Sequence, residues 1–159
     1  MKQLILMRHA EAEPARDGLD DMQRQLSAQG RTDALDAALC LAQTEIRLDS
    51  LLISPAQRTR ETAVIVAAQL DITRPLLFEP ELYPGHPAAL LSVLRRLPRS
   101  QQCVLLVGHN PGLSDLASQF ANAGQRIALR TSGVCSIHLQ GDSWNELQPL
   151  TTDSVALWR

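Results

Sequence analysis

The sequence has little of several features that mark particular classes of protein. Aromatic residues make up 3% of its 159 residues, so a platform for stacking nucleobases is not expected. No apolar run approaches the roughly 20 residues that span a bilayer. Fifteen Lys and Arg against seventeen Asp and Glu leave a formal charge of −2, which is not the basic footprint of a nucleic-acid or anionic-membrane binder. We therefore expect neither a nucleic-acid partner nor a membrane partner.

Cysteine and metal-binding motifs are equally sparse. The three cysteines, Cys40, Cys103 and Cys135, are widely spaced and form no CxxC pair, so neither a disulfide framework nor a zinc site is expected. A GxxxxGK[ST] loop is absent, which excludes a P-loop NTPase. An HExxH metal-binding motif is absent as well. The four apolar residues that follow Met1-Lys2-Gln3 are too few for the apolar core of a signal peptide. These absences predict a cytoplasmic protein without metal or cofactor.

The composition and the order of apolar segments indicate the fold class. Hydrophobic residues account for 45% and charged residues for 20%, as in ordinary globular proteins, and the length suits a single domain over 1–159. Short unbroken apolar runs at 4–7, 51–53 and 104–107 are typical of strands buried on both faces, and another strand is predicted at 134–139. Helical patterns lie between these runs. The sequence therefore predicts an α/β domain with a mostly parallel sheet and helices on both faces.

Helix starts are marked by capping residues and prolines. Ser54 and Asn110 are predicted to cap two helices, because a proline follows each of them at what would be the first helical position. A further helix is expected to begin near Ser27, and another spans about 87–97. The apolar face predicted for the helix near Ser27 consists of Leu35, Leu39 and Ala42.

Histidine and arginine follow the predicted strands where the strands end. Arg8 and His9 come directly after the first strand, His109 lies just past the third, and Arg58 is one turn into the helix after the second. Ligands of open α/β sheets bind outside the carboxyl ends of the strands. Two guanidinium groups, two imidazoles and neighbouring helix N-termini suit a phosphoryl group.

A histidine is the best nucleophile candidate for such a site. None of the three cysteines has an Arg six positions later, which argues against a cysteine-dependent phosphatase. An imidazole with a pKa of about 6.5 is mostly neutral at pH 7 and can attack phosphorus directly. Its other nitrogen needs a fixed acceptor, such as a backbone carbonyl, to hold the tautomer.

Three segments of the chain resemble those of a known family. RHAEAE at 8–13, SPAQRTRET at 54–62 and GHNPGLSDLA at 108–117 look like the signature segments of the histidine phosphatase superfamily, and they occur in the family's order. The resemblance covers residues 1 to about 140. The short chain and the third segment are most similar to the compact phosphohistidine phosphatase (SixA-type) branch, which implies a phosphoglycerate mutase-like fold.

The resemblance also implies a role for each residue. His9 would be the nucleophile and become transiently phosphorylated, while Arg8, Arg58 and His109 would bind the phosphoryl oxygens without a metal. Glu81 is the best match to the glutamate that donates a proton in mutase-like relatives, although the compact branch depends less on that acid.

One segment departs from the family pattern, which has a proline after its arginine where this chain has Gln25. Arg24 remains available at the pocket rim, and Asp20 and Asp21 are expected to be solvated surface residues.

Three functions are compatible with these residues. The first is a phosphatase that removes phosphate from histidine on a partner protein, because a short chain leaves little material for a lid over the pocket. The second is a phosphomonoesterase or mutase that acts on a small phosphorylated metabolite. The third is a non-catalytic module that binds phosphate, which nothing in the sequence favours.

Overall fold

A six-stranded sheet forms the centre of the computed structural model, which describes residues 1–121, 124–148 and 152–158. The strands are β1 (Lys2–Arg8), β2 (Ser50–Ile53), β3 (Leu77–Phe78), β4 (Cys103–Gly108), β5 (Val134–Leu139) and β6 (Thr152–Trp158). Their order in the sheet is β3-β2-β4-β1-β5-β6. Strands β1 to β4 pair in parallel, whereas β5 is antiparallel to both of its neighbours, β1 and β6. The mostly parallel sheet predicted from the sequence is confirmed.

Among the described residues, four α-helices cover the two faces of the sheet. They are α1 (Ala28–Ala42), α2 (Gln57–Gln69), α3 (Pro87–Arg95) and α4 (Gly112–Phe120). Helices α1 and α2 pack on one face, and α3 and α4 pack on the other, each pair over its own apolar cluster. The three layers confirm the predicted fold class. Within the described ranges, no helix is long and apolar enough to cross a membrane.

Strand β1 shows why its sequence is an unbroken apolar run. Leu4 and Leu6 point into the cluster beneath α3 and α4, while Ile5 and Met7 point into the cluster beneath α1 and α2. All four side chains are fully buried. Because successive side chains of a strand point to opposite faces, a strand covered on both sides needs apolar residues at every position. The same strand ends at the edge of the sheet where the polar residues lie.

The two predicted helix caps at Ser54 and Asn110 are wrong. Helix α2 begins at Gln57 with Ala56 as its N-cap, and α4 begins at Gly112 with Pro111 as its N-cap. The Ser54 hydroxyl instead lies 2.7 Å from His109 Nε2. Asn110 stands one residue before the cap, although its Oδ1 still accepts a hydrogen bond from a backbone N–H of α4, that of Ser114, at 3.3 Å. The polar side chains at these positions therefore belong to the site as much as to the helices.

Helix α1 begins where predicted but buries a different face. Ser27 is its N-cap, and its hydroxyl accepts a hydrogen bond from Gly30 N. The three residues of the predicted apolar face are exposed. The buried residues are Gly30, Ala34, Ala37, Ala38 and Leu41. A Cβ on Gly30 would lie 2.0 Å from the carbonyl oxygen of Glu11, so the helix approaches the 10–26 connection too closely for large side chains. The buried face of α1 therefore consists mostly of glycine and alanine.

Candidate active site

Two histidines meet at the carboxyl ends of neighbouring parallel strands. Arg8 is in register with Gly108 across β1 and β4, so the residues that follow, His9 and His109, leave the sheet side by side. Their ring centroids are 5.1 Å apart. A pocket of about 210 Å³ opens beside them, and its lining residues are His9, Asp21, Arg58, Tyr83, Pro84, His109 and Asn110.

Arg58, in the first turn of α2, connects the two histidines. Its Nε lies 3.3 Å from His9 Nε2, and its Nη2 lies 3.3 Å from His109 Nδ1. The residue is only 6% exposed. Because a guanidinium carries donors and no acceptor, both imidazole nitrogens that face it accept hydrogen bonds. The pocket thus presents a fixed planar cation beside two neutral rings.

His9 is held in one tautomer. Its Nδ1 lies 2.7 Å from the carbonyl oxygen of Ala10 and donates its proton there, so the lone pair is on Nε2, which faces the pocket. Burial lowers the pKa of His9 to about 4, and the positive charges of Arg58 and Arg8 act in the same direction. His9 is therefore neutral at pH 7, which is the form in which an imidazole can attack phosphorus.

His109 is buried more deeply and is also neutral. Its Nε2 lies 2.7 Å from the fully buried hydroxyl of Ser54. The pKa of His109 is lowered to about 3, mainly by burial, and the positive charges of Arg58 and Arg8 act in the same direction. The ring of Tyr83 packs edge-on against it, with centroids 5.3 Å apart.

Arg8 lies at the end of β1 and carries a donor that is not paired. Its Nη1 donates to the carbonyl oxygen of Leu129 at 3.2 Å, an oxygen that Asn110 Nδ2 also contacts. Its Nε is buried and has no hydrogen-bond partner among the described residues. An unsatisfied buried N–H is costly, and an anionic oxygen is the kind of acceptor that would satisfy it.

Asp21 belongs to the site, contrary to its predicted place on the solvated surface. It lies in a 3-10 turn of the 10–26 connection. Its Oδ2 accepts hydrogen bonds from Arg58 at 2.9 Å and from Tyr83 Oη at 2.8 Å. Its Oδ1 accepts from Arg24 at 2.9 Å. Burial alone would raise the pKa of the Asp21 carboxyl, but these hydrogen bonds lower it well below its usual range. The pocket therefore contains an ionised carboxylate.

Neither periodicity nor a motif marks Asp21 or Tyr83, because both lie in short segments between the main helices and strands. The signal that did exist was the length of the 10–26 connection, since long irregular loops in compact domains are commonly functional.

Glu81 is not brought to this site. Its side chain is exposed and forms an ion pair with Arg96, in which Arg96 Nη1 lies 3.1 Å from Glu81 Oε1. The hydrogen bonds from Arg96 lower the pKa of the Glu81 carboxyl. It does not line the pocket that holds His9. Within the described ranges, no group of three or more His, Cys, Asp or Glu side chains could hold a metal ion.

Comparison with known families decides what this arrangement represents. The model of the histidine phosphatase superfamily (branch 1) matches residues 4–83, half of the chain and the part that contains Arg8, His9 and Arg58. The chain belongs to the histidine phosphatase superfamily. Membership makes the protein a phosphatase that works through a histidine mechanism, as the three sequence segments predicted.

Individual relatives place this histidine phosphatase within the superfamily. An uncharacterised protein of Picosynechococcus sp. is 30% identical over 94% of this chain and 96% of its own. A solved structure assigned as phosphohistidine phosphatase SixA from Agrobacterium tumefaciens is 27% identical, with a TM-score of 0.79 over 87% of this chain and 92% of the other. A second solved structure with the same assignment, from Nakamurella multipartitia, is 24% identical, with a TM-score of 0.84 over 99% of this chain and 95% of the other. The predicted resemblance to the compact SixA-type branch is confirmed.

Proposed function

We propose that this histidine phosphatase cleaves phosphohistidine on a partner protein, with His9 as the nucleophile. The observation that supports this substrate class is that the carboxyl in the pocket is ionised. Asp21 provides the one carboxyl among the described lining residues, and its hydrogen bonds keep it ionised. Glu81, the candidate proton donor, lies outside the pocket in its ion pair with Arg96.

Without a protonated acid, the leaving group decides which bond can be cleaved. A phosphate ester leaves as an alkoxide, which needs a proton in the transition state. Phosphohistidine that carries a proton on its distal ring nitrogen leaves as neutral imidazole and needs no donor. A site whose one lining carboxyl is ionised offers no carboxylic acid to the leaving group and is therefore suited to breaking a P–N bond.

The first step transfers the phosphoryl group to His9. The Nε2 lone pair of His9 forms a bond to phosphorus as the P–N bond of the substrate breaks, and the electron pair of that bond remains on the departing imidazole. The proton on His9 Nδ1 stays in its hydrogen bond to the Ala10 carbonyl, which stabilises the positive ring that forms. In the second step water attacks phosphorus, His9 leaves as neutral imidazole, and both water protons depart with the product as H₂PO₄⁻.

Arg8, Arg58 and His109 bind the phosphoryl oxygens in this proposal. The unpaired Nε of Arg8 and the fork of Arg58 supply donors, and both charges oppose the negative charge on the transferring group. Loss of one such preorganised donor typically lowers the rate by about 10²–10³-fold.

The dimensions of the pocket favour a protein substrate over a metabolite. Its volume of about 210 Å³ is below the roughly 300–1,000 Å³ of sites that enclose a small ligand. A phosphoryl group and an imidazole ring fit such a space, and the rest of the substrate then lies outside. His9 is only partly buried, so a side chain projecting from another protein can reach it.

A metabolite ester is the second candidate, and one observation favours it. A structure from Escherichia coli that is assigned as an alpha-ribazole-5'-P phosphatase shares the fold, with a TM-score of 0.65 at 21% identity. A direct comparison of substrates separates the two. We expect turnover of a protein that phosphoramidate has phosphorylated on histidine. For glycerate and sugar phosphates we expect kcat/KM to be lower by about 100-fold or more, because no acid protonates the alkoxide. Strong turnover of an ester with none of phosphohistidine would overturn the proposed substrate class.

The assignment of His9 is tested by trapping the intermediate. Brief incubation with phosphoramidate, followed by a quench, should leave an acid-labile and base-stable phosphoryl group on the wild type. His9→Gln should carry no label, whereas His138→Gln, which changes a histidine on β5, should be labelled like the wild type. Label that persists in His9→Gln would place the nucleophile elsewhere.

Glu81→Gln tests whether this carboxyl takes part in either reaction. Because the side chain is exposed and paired with Arg96, we expect ester and phosphohistidine hydrolysis both to remain within about twofold of the wild type. A selective loss of ester hydrolysis would show that Glu81 moves into the site when an ester binds.

A further inference from the structure

The buried hydroxyl of Ser54 determines which nitrogen of His109 carries the proton. Arg58 Nη2, 3.3 Å from His109 Nδ1, can only donate, so Nδ1 presents its lone pair. The proton of the neutral ring is then on Nε2, where Ser54 Oγ accepts it at 2.7 Å. Ser54 has no exposed surface and follows directly after β2, so its hydroxyl is fixed in place.

This tautomer is unsuited to binding a phosphoryl oxygen as it stands. The lone pair on His109 Nδ1 is directed toward the pocket, and a phosphoryl oxygen that replaces Arg58 as its neighbour is also an acceptor. Two lone pairs repel each other, so His109 can hold the oxygen only when Nδ1 also carries a proton. With Ser54 already accepting from Nε2, the ring that results is an imidazolium.

We propose that Ser54 is a positioning residue that makes His109 bind phosphoryl oxygens as an imidazolium, so that binding of the phosphoryl group takes up one proton at Nδ1. This inference rests on the proposed role of His109 in the phosphoryl site. The step is an acid–base reaction with solvent: one proton from water or buffer forms the N–H bond at Nδ1, and the charge of the bound dianion stabilises the cation.

The surroundings of His109 agree with a proton that arrives only with the anion. The charged and titratable groups around the ring come from four parts of the chain, and they are Arg8, His9, Asp21, Arg58 and Tyr83. The two arginines and burial disfavour an imidazolium in the empty site, while the carboxylate of Asp21 favours it. A bound phosphoryl dianion adds two negative charges next to Nδ1 and reverses this balance.

His9 is the other imidazole that could accept the proton, and its geometry argues against it. Its Nδ1 already donates to the Ala10 carbonyl. Its Nε2 must keep a lone pair to attack phosphorus. A proton on His9 would block the reaction, whereas a proton on His109 strengthens the hold on the substrate.

Tungstate is a suitable probe, because it is a tetrahedral dianion that does not itself take up a proton near neutral pH. Its binding to the whole protein is followed by titration calorimetry in two buffers of different ionisation enthalpy, which gives the number of protons taken up. We expect about one proton per tungstate at pH 7.5. By linkage, the affinity should then fall about tenfold for each unit of pH above neutral.

Variants locate the proton. His109→Gln should reduce the uptake to near zero, and His9→Gln should leave it near one. Ser54→Ala should bind more weakly and take up clearly less than one proton, because the imidazolium loses its acceptor, and Ser54→Thr should restore both. Thermal unfolding of each variant shows whether it is folded.

Several outcomes would overturn the proposal. Tungstate that binds without proton uptake, uptake that disappears in His9→Gln but not in His109→Gln, or full uptake in Ser54→Ala would each contradict it while leaving the phosphoryl site intact. No binding of tungstate to the wild type would instead reject the phosphoryl site itself, and the inference with it.

Discussion

Asp21 contacts Arg58 twice, with its backbone carbonyl oxygen 2.7 Å from Nη1 and its carboxylate oxygen 2.9 Å from Nη2. One residue of a loop thus fixes the cation that lies between the two histidines. The carboxylate also places a negative charge beside the pocket, where it repels an incoming phosphoryl dianion. The backbone contact and the carboxylate therefore have separable effects.

Asp21→Asn separates them. The backbone contact to Arg58 remains, an amide oxygen can still accept from Tyr83, and the negative charge is gone. We expect inorganic phosphate to bind about fivefold more tightly, as for removing about 1 kcal/mol, the repulsion of two like charges about 4 Å apart when water screens them fully. Titration calorimetry at fixed ionic strength measures this. Weaker binding in the variant would mean that the carboxylate's hold on Arg58 outweighs its repulsion.

Arg58→Lys should lower kcat/KM by about 10²–10³-fold, because an ammonium cannot reproduce a planar fork that serves both histidines. The matched control is Arg60→Lys on the same helix. Arg60 lies 4.4 Å over the ring of Phe78 and donates to the Pro55 carbonyl, away from the pocket lining. Steady-state hydrolysis of a histidine-phosphorylated protein should be unchanged in the control. Equal losses in both variants would indicate damage to α2 rather than to the site.

The neutral state of His9 makes stability depend on pH. An unfolded histidine titrates near 6.5, whereas the folded pKa of His9 is about 4, so the unfolded chain binds more protons between these values. The free energy of unfolding should therefore fall as the pH falls from about 6.5 to about 4. Urea unfolding at pH 7.5 and pH 5 should show a loss about 2 kcal/mol larger in the wild type than in His9→Gln. Parallel losses in the two proteins would show that His9 is not buried as a neutral ring.

Gly112 brings the start of α4 against the loop that carries Tyr83. A Cβ on Gly112 would lie 1.7 Å from the carbonyl oxygen of Gly85, a contact that only a backbone shift can relieve. Gly112→Ala should cost about 1–3 kcal/mol of stability or more and lower the melting temperature. Gly108→Ala is the control, since its Cβ would meet only leucine side-chain atoms, the nearest at 3.3 Å. Thermal unfolding of both variants should show the larger loss for Gly112→Ala.

The parts of the molecule that could be predicted from sequence are those with a local signal. Strands β1, β2 and β4 have apolar runs because both of their faces are covered. Arg8 ends β1, and His9 and His109 directly follow β1 and β4. Strand β3 consists of two exposed residues at one edge of the sheet, and β6 is the strand at the other edge in the described part of the chain, so neither is covered like the central strands.

The caps and the missed site residues were decided by tertiary contacts. Ser54 has the local signature of a helix cap, but its hydroxyl is hydrogen-bonded to His109, which directly follows β4. Asp21 looks like a surface acid until Arg58, 37 residues away, is folded against it. Spacing along the chain does not encode such pairings. The choice of buried face in α1 likewise depends on how closely Gly30 approaches the backbone of Glu11.

The order of the strands also determines when catalysis can appear during refolding. Strands β1 and β4 are neighbours in the sheet, yet about a hundred residues of chain separate His9 from His109. Contacts between such distant segments close late and slowly, because the entropy of a long loop must be overcome first. No short fragment contains both histidines, so we expect a refolding chain to gain enzymatic activity only when the central strands have joined.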